Sequence, residues 1–461
     1  MPVDRSRLPE VEPDPPFRFP RVARHTLANG LDVRTVEHYT VPVVACALLV
    51  QGGAGADPPG AEGLAALTAD MLDEGTGDLS AIDVSEGFAR VGAEYDVDVG
   101  PDGAQFGLTV LARFLEPSLS LLADTVVHPS LRAADFERVR KLRLDRLRQL
   151  KDQPPAVAER TFLRLLYGAH PYGHLPIGTE RALGGCRLER VAEFHAAVFR
   201  PARATLVLAG PLPHERLVHV AEAAFAQWTG GAADEGWRAG DIDPAHAPPR
   251  IAVVPRAGAA QSELRIGHLS ATRTTPDYPA LLVMNALLGG QFVSRLNLRL
   301  REEKGYTYGA RTGFDWRKRL GPFAMQASVD TAATAESIRD TLAELAAIGD
   351  DRPPSDEEMA LARASLTRGY PRSFETAPQV ARGVAQLALF DLPDSYFEEF
   401  VPKIMAVERA DVVRAARRYV DPGRAVTLVV GDHAVIGESL VALGLGEPQL
   451  VPATDSASGT E

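Results

Sequence analysis

Apolar residues in this chain follow two alternating kinds of pattern. Leu64, Leu67, Met71 and Leu72 fall at i, i+3, i+7 and i+8, one apolar stripe that predicts a helix near 61–74, with Gly75 placed to end it. The run from Val43 to Gly52 reads as a strand, and so does 93–99, where Tyr95, Val97 and Val99 alternate with acidic residues. A hairpin is expected around Asn29-Gly30, a helix over 81–91, a strand over 104–111, a run of helices to about 198, a strand over 204–209 and a last helix. Strands grouped with long helical stretches predict α+β layers, a sheet covered by helices.

The plan occurs twice. Arg200-Pro201-Ala202-Arg203-Ala204-Thr205-Leu206-Val207-Leu208-Ala209-Gly210 and Asp421-Pro422-Gly423-Arg424-Ala425-Val426-Thr427-Leu428-Val429-Val430-Gly431 are both helix-to-strand junctions, about half a chain apart. Between the halves, Thr229 to Pro249 is rich in Gly, Ala, Asp and Pro and reads as a linker. The expected organisation is an extended arm over 1–20, a first domain over 21–229, a linker over 230–249, a second domain over 250–452 and a disordered tail over 453–461.

With 461 residues, 45% of them hydrophobic, the chain can bury a core in each half. No segment approaches a membrane span, and the N-terminus has no apolar core followed by a cleavage site, so a cytoplasmic location is expected. A net charge of -12 argues against nucleic acid as a partner. Two distant cysteines, Cys46 and Cys186, exclude a disulfide framework.

Several histidines invite a metal reading. His214-Glu215-Arg216-Leu217-Val218-His219 is one residue too long for the H-E-x-x-H motif, since side chains at i and i+5 diverge on a helix. The Pro and Gly of His170-Pro171-Tyr172-Gly173-His174 predict a loop, which does not by its spacing aim two imidazoles at one ion. His195 sits on an amphipathic helix as a packed or surface residue.

The segment Gly63-Leu64-Ala65-Ala66-Leu67-Thr68-Ala69-Asp70-Met71-Leu72-Asp73-Glu74-Gly75-Thr76 resembles the active-site helix of the pitrilysin/insulinase peptidases, a family that includes the mitochondrial processing peptidases. That family's inverted zinc motif, H-x-x-E-H, corresponds here to Ala66, Ala69 and Asp70. Its third ligand, a Glu about 76 residues further on, corresponds to Arg146, which has no lone pair to offer a cation. The resemblance therefore implies a degenerate site with no metal or cofactor in this chain. It also implies that Asp70 and Arg146 lie close together, and an ion pair between them is expected.

A second segment, Leu287 to Gly309, resembles the family's C-terminal pattern, in which G-G-x-x-S-x-L leads a helix ending in L-R-E, then a turn and a strand carrying Tyr. In the family an Arg and a Tyr seven residues apart reach the zinc site of the opposing half; here they are Arg301 and Tyr308. A fixed cation and a phenolic donor suit charge developing on a carbonyl oxygen. Gly289 and Gly290, with the strand residues Tyr95, Asp96 and Val97, are the implied substrate-binding positions.

The resemblance spans about Arg21 to Val451 and implies two homologous α/β-sandwich halves forming half of a peptidase clamshell. The expected function is that of a non-catalytic subunit of a heterodimeric zinc peptidase. A homologous partner with intact H-x-x-E-H would supply the zinc, and the substrates would be peptides. The alternative is a core-protein-like scaffold or peptide-binding homologue without peptidase activity.

Overall fold

The computed structural model describes residues 17–230, 239–243 and 245–453. Most of the expected arm, nine of the twenty expected linker residues and the expected tail beyond Ala453 lie outside these residues.

The first half comprises strands β1 (Val22–Thr26), β2 (Asp32–Glu37), β3 (Val43–Gln51), a small hairpin β4 (Gly75–Thr76) and β5 (Leu79–Ser80), then β6 (Glu94–Val99), β7 (Gly103–Leu111) and β8 (Ala204–Gly210). Its helices are α1 (Leu64–Met71), α2 (Ala81–Arg90), α3 (Leu115–Val127), α4 (Ala133–Lys151), α5 (Pro154–Tyr167), α6 (Glu180–Gly185), α7 (Leu188–Val198) and α8 (His214–Phe225). The second half has β9 (Ile251–Pro255), β10 (Gln261–Ala271), β11 (Thr307–Phe314), β12 (Gly321–Asp330), β13 (Val426–Gly431) and β14 (Gln449–Leu450). Its helices are α9 (Tyr278–Asn285), α10 (Arg295–Asn297), α11 (Thr334–Ala347), α12 (Asp356–Thr367), α13 (Ala377–Leu389), α14 (Tyr396–Met405), α15 (Arg409–Tyr419) and α16 (His433–Val441).

The duplication extends to the hydrogen-bonding pattern. The sheet orders are β6-β7-β3-β8-β2-β1 and β11-β12-β10-β13-β9-β14. In each, one central strand is antiparallel to a neighbour on one side and parallel on the other: β8 between β3 and β2, and β13 between β10 and β9. The halves differ at the last strand, because β1 is a hairpin partner of β2 whereas β14 joins β9 in parallel. Strand β3 is apolar and buried almost throughout because both faces of its sheet are covered. Strand β6, at the edge, alternates exposed acidic with half-buried apolar residues.

Each half also covers the other. Val380, Ala381, Val384 and Ala385 of α13 pack on Ala45, Ala47, Val207 and Ala209 of the first sheet. Reciprocally, Val157 and Ala158 of α5 pack with Val254, Val426, Leu428 and Val430 of the second. Small residues on both surfaces allow close approach. Polar contacts seal the seam: the Tyr167 hydroxyl donates to Leu320 O at 2.8 Å, Arg317 Nη1 to Tyr172 O at 2.9 Å, and the Lys318 amide to the Asp102 carboxylate at 2.9 Å.

Candidate functional site: the Asp70–Arg143 pair and the exposed Tyr308

Helix α1 begins at Gly63, whose positive φ of 97° no L side chain adopts readily, and whose close neighbour is the Gly178 backbone. Its free N–H groups are met by Asp57, six residues upstream. One carboxylate oxygen accepts from the Gly63 amide and the other from the Ala65 amide, both at 2.6 Å. His174 Nε2 lies 2.8 Å from the same buried carboxylate, which ties the 170–174 loop to the start of α1. The helix ends through a single 3-10 turn at Gly75, as its pattern predicts.

Ala66 and Ala69 are buried on α1, and Asp70 is half exposed on the same face. The expected partner of Asp70 is corrected by the structure. Arg143, not Arg146, donates to the Asp70 carboxylate at 2.5 Å, while Arg146 is exposed and reaches Gln149 at 3.3 Å. Positions 143 and 146 of α4 share a face one turn apart, so the long guanidinium at 143 can span the turn. From there it also donates to Pro176 O at 2.7 Å, a second acceptor that Arg146 lacks. Two methyl groups and a carboxylate already paired with arginine make no donor set for zinc. Among the described residues no three His, Cys, Asp or Glu side chains are grouped to hold a metal ion.

Because Arg143 is 11% exposed but Asp70 is 40% exposed, solvent screens the pair. A double-mutant cycle on stability should give a coupling of about 1 kcal/mol or less for Asp70 with Arg143, and none for Asp70 with Arg146.

Acidic groups crowd the end of α1. Burial, then the nearby Glu74 and Asp70 carboxylates, push the Asp73 carboxyl up to about 6. The folded chain then holds this proton more tightly than the unfolded chain, so stability falls as pH rises from about 4 through about 6. Asp73→Asn is expected to raise stability by on the order of 2 kcal/mol at pH 7.5, with the gain vanishing near pH 4. Thermal unfolding of both proteins across that range checks it. Tyr95 stacks on Phe88 at 5.2 Å, and its buried hydroxyl has no hydrogen-bond partner among the described residues. Burial and the Asp73 and Asp70 carboxylates hold that phenol protonated. Asp96 and Val97 continue the outer strand β6, whose only ladder partner among the described residues is β7.

Arg301 and Tyr308 sit on the other half. The wide-turn segment 286–290 crosses β11 so closely that a Cβ on Gly289 would stand 2.6 Å from the Thr312 amide nitrogen. Gly290 similarly fits against Asn285, which accepts from the Thr312 hydroxyl at 2.9 Å. The helical segment after Ser294 ends at Glu303, and Gly305, at φ 66°, turns the chain into β11.

Between Thr307 and Ala310 the β11–β12 register slips by one residue, a bulge holding Tyr308 and Gly309. Side chains satisfy the displaced backbone. The buried Asn297 carbonyl accepts from the Ala310 amide at 2.9 Å, and the Thr307 hydroxyl bonds Ser328 O at 2.6 Å and the Gly309 amide at 3.1 Å. Tyr308 is thereby thrown outward and is 92% exposed. The Arg301 guanidinium lies 4.2 Å from the centre of the Phe292 ring, and its Nη1 is 3.0 Å from Glu302 without an aligned hydrogen bond. Exposed Phe292, Val293 and Leu298 come from the same stretch of chain.

Three of the other histidines read from the sequence have structural partners. His170 meets Gly240 O and His195 meets Val126 O, while His214 contacts the Thr35 hydroxyl and His219 is exposed. Four residues that shape the two sites, Asp57, Arg143, Phe292 and Asn297, were not apparent from sequence. Only Arg143 carried a usable signal, its place one turn before Arg146 on the same helix face.

Known proteins match across both halves. The insulinase family, peptidase family M16, matches residues 33–180, and the domain described as the peptidase M16 inactive domain matches residues 186–366. An uncharacterized zinc protease of Mycobacterium tuberculosis is 25% identical over 431 residues, covering 92% of this chain and 97% of its own. The uncharacterized zinc protease YmxG of Bacillus subtilis is 22% identical over 327 residues, covering 70% and 78%. A crystal structure described as a peptidase M16 inactive domain from Pseudomonas fluorescens has a TM-score of 0.83 at 25% identity, covering 89% of this chain and 98% of that one. A protease from Helicobacter pylori has the same fold, with a TM-score of 0.80 at 20% identity over 89% and 100% of the two chains. With this fold, this duplication and these matches over both halves, the chain belongs to the insulinase, or M16, family of peptidases.

Proposed function

We propose that this peptidase-like chain is the non-catalytic subunit of a two-chain zinc peptidase. A homologous partner bearing H-x-x-E-H supplies the metal and the general base, and this chain supplies Arg301, Tyr308 and half of the chamber wall. The observation that carries the reading is the contrast between the two sites. The helix that would hold zinc presents Ala66, Ala69 and an Asp70 bound to Arg143, whereas Tyr308 is held out from a supported bulge, its hydroxyl without a hydrogen-bond partner among the described residues.

A peptide substrate would pair with the open edge of β6 by strand addition, past Tyr95, Asp96 and Val97. Across the chamber, Arg301 and Tyr308 would orient the carbonyl of the bond to be cut and stabilise its developing charge. The bound metal's contribution, activation of a water and polarisation of that carbonyl, would come from the partner.

Affinity purification of the tagged full chain from its native host tests the pairing. A homologous chain with an intact H-x-x-E-H should co-purify at one to one. Recovery of the chain only with itself or with unrelated proteins would refute the assignment.

A further inference from the structure

The edge strand β6 ends beside a cleft. Leu49 of β3, Gln105 of β7 and Asp98 of β6 are successive cross-strand neighbours, and this row floors a cavity of about 600 Å³ between the two halves. The opposite wall is aromatic. Phe314 stacks on Trp316 at 4.6 Å, Tyr278 leans on Trp316 at 4.7 Å, and Tyr370 stacks on Phe400 at 4.2 Å. Gly383 lets this wall close on α13, since a Cβ there would meet Phe374 at 3.2 Å.

A strand added outside β6 continues the row by one place, roughly 4.8 Å beyond Asp98, with its side chain on the same face. We propose that the cleft takes one large aromatic side chain of an extended peptide, at the peptide position opposite Asp98. The inference rests on the reading of β6 as the peptide-binding edge and adds a specificity site to it.

The lining decides the chemistry. A basic side chain would meet the Arg273 guanidinium, already 3.8 Å from the centre of the Tyr278 ring, while the lining carboxylates Asp102 and Asp315 are taken up by the Lys318 amide and Arg317, and an acidic side chain would meet Asp98 at the mouth. An aromatic ring finds ring faces and edges in a cavity within the usual size of ligand sites. Tyr95, three residues earlier on β6, points to the other face of the sheet, where Asp70 and Asp73 act on it, so the selected position lies about 10 Å along the strand from Tyr95 and on the opposite face.

The test uses fluorescein-labelled ten-residue peptides of Ala and Thr, with a single Phe moved through each position, and anisotropy on the purified full chain. Phe at one position should tighten binding about ten- to a hundredfold over the Phe-free peptide, with no gain at the two adjacent positions, which face the other side. Gln386, exposed on α13, also lines the cleft; Gln386→Trp should fill it and reduce the gain to about twofold or less. Trp316→Ala, which removes part of the aromatic wall, should lower the gain as well. Binding that is indifferent to the position of Phe, or a gain that survives both variants, would overturn the cleft while leaving β6 as a peptide edge. Absence of binding by every peptide would overturn the peptide-edge reading itself.

Discussion

Arg301→Ala in the assembled peptidase is expected to lower kcat by about a hundred- to a thousandfold, the usual cost of removing one preorganised group that stabilises charge in the transition state. Tyr308→Phe deletes a single hydroxyl from a side chain that is 92% exposed, so it should leave folding unchanged and act on turnover alone. Its loss should fall in the same range, with KM changing much less than kcat. Asn297→Ala supplies an internal comparison. It removes the acceptor for the Ala310 amide and loosens the bulge that aims Tyr308. Its effect on kcat should be largely absent in a Tyr308→Phe background, because both changes act on the same group. Steady-state kinetics on the four proteins of that cycle decide the matter: independent, multiplying losses would separate Asn297 from Tyr308.

Val384→Asp is expected to prevent the chain from folding as a soluble unit. Val384 is fully buried in α13 against the first sheet, in a cluster with Ala45, Ala47, Val207 and Ala209. A carboxylate there has no cation or donor in the surrounding apolar cluster, and burying it unpaired costs more than about 4 kcal/mol. Arg382→Ala, on the exposed side of the same helix, should stay within about 0.5 kcal/mol of the parent. The interlock makes a further demand. Since α5 covers the second sheet and α13 the first, the parent should melt in one cooperative transition. Two well-separated transitions by calorimetry would show that the halves are energetically independent.

The elements were readable because their signals are local. The stripe on α1, the unbroken apolar run of β3 and the alternation of β6 each fix a period within about ten residues. The helix-to-strand junctions at 200–210 and 421–431 carried the duplication, which reappears as matching sheet orders. What the pattern could not carry was partnership over distance. An amphipathic α13 announces a buried face without saying that it belongs to the other half's sheet. Asp57 stands six residues before Gly63, too far to read as a helix cap, although its carboxylate holds the first turn of α1.

The same limit explains why Arg146 was expected as the partner of Asp70. Family spacing pointed to residue 146, where a short carboxylate would suit a metal. The chain carries arginines at both 143 and 146, on one helix face, and geometry beyond the helix, the Pro176 carbonyl, favours the first. The bulge at Tyr308 was likewise invisible, since it arises from a register slip against β12 and from the side-chain bonds of Asn297 and Thr307. Arg301 and Tyr308 are singled out by the family resemblance, while the bulge that presents Tyr308 has no local signal.

The division of labour between two chains is tested most directly by measuring zinc content and peptide hydrolysis on this chain alone, on the co-purifying homologue alone and on the reconstituted pair. This chain alone should show no bound zinc and no hydrolysis, the pair should hold one zinc, and activity should appear on mixing and collapse with Arg301→Ala. Stoichiometric zinc in this chain alone, or a homologue equally active without it, would rule out the division of labour.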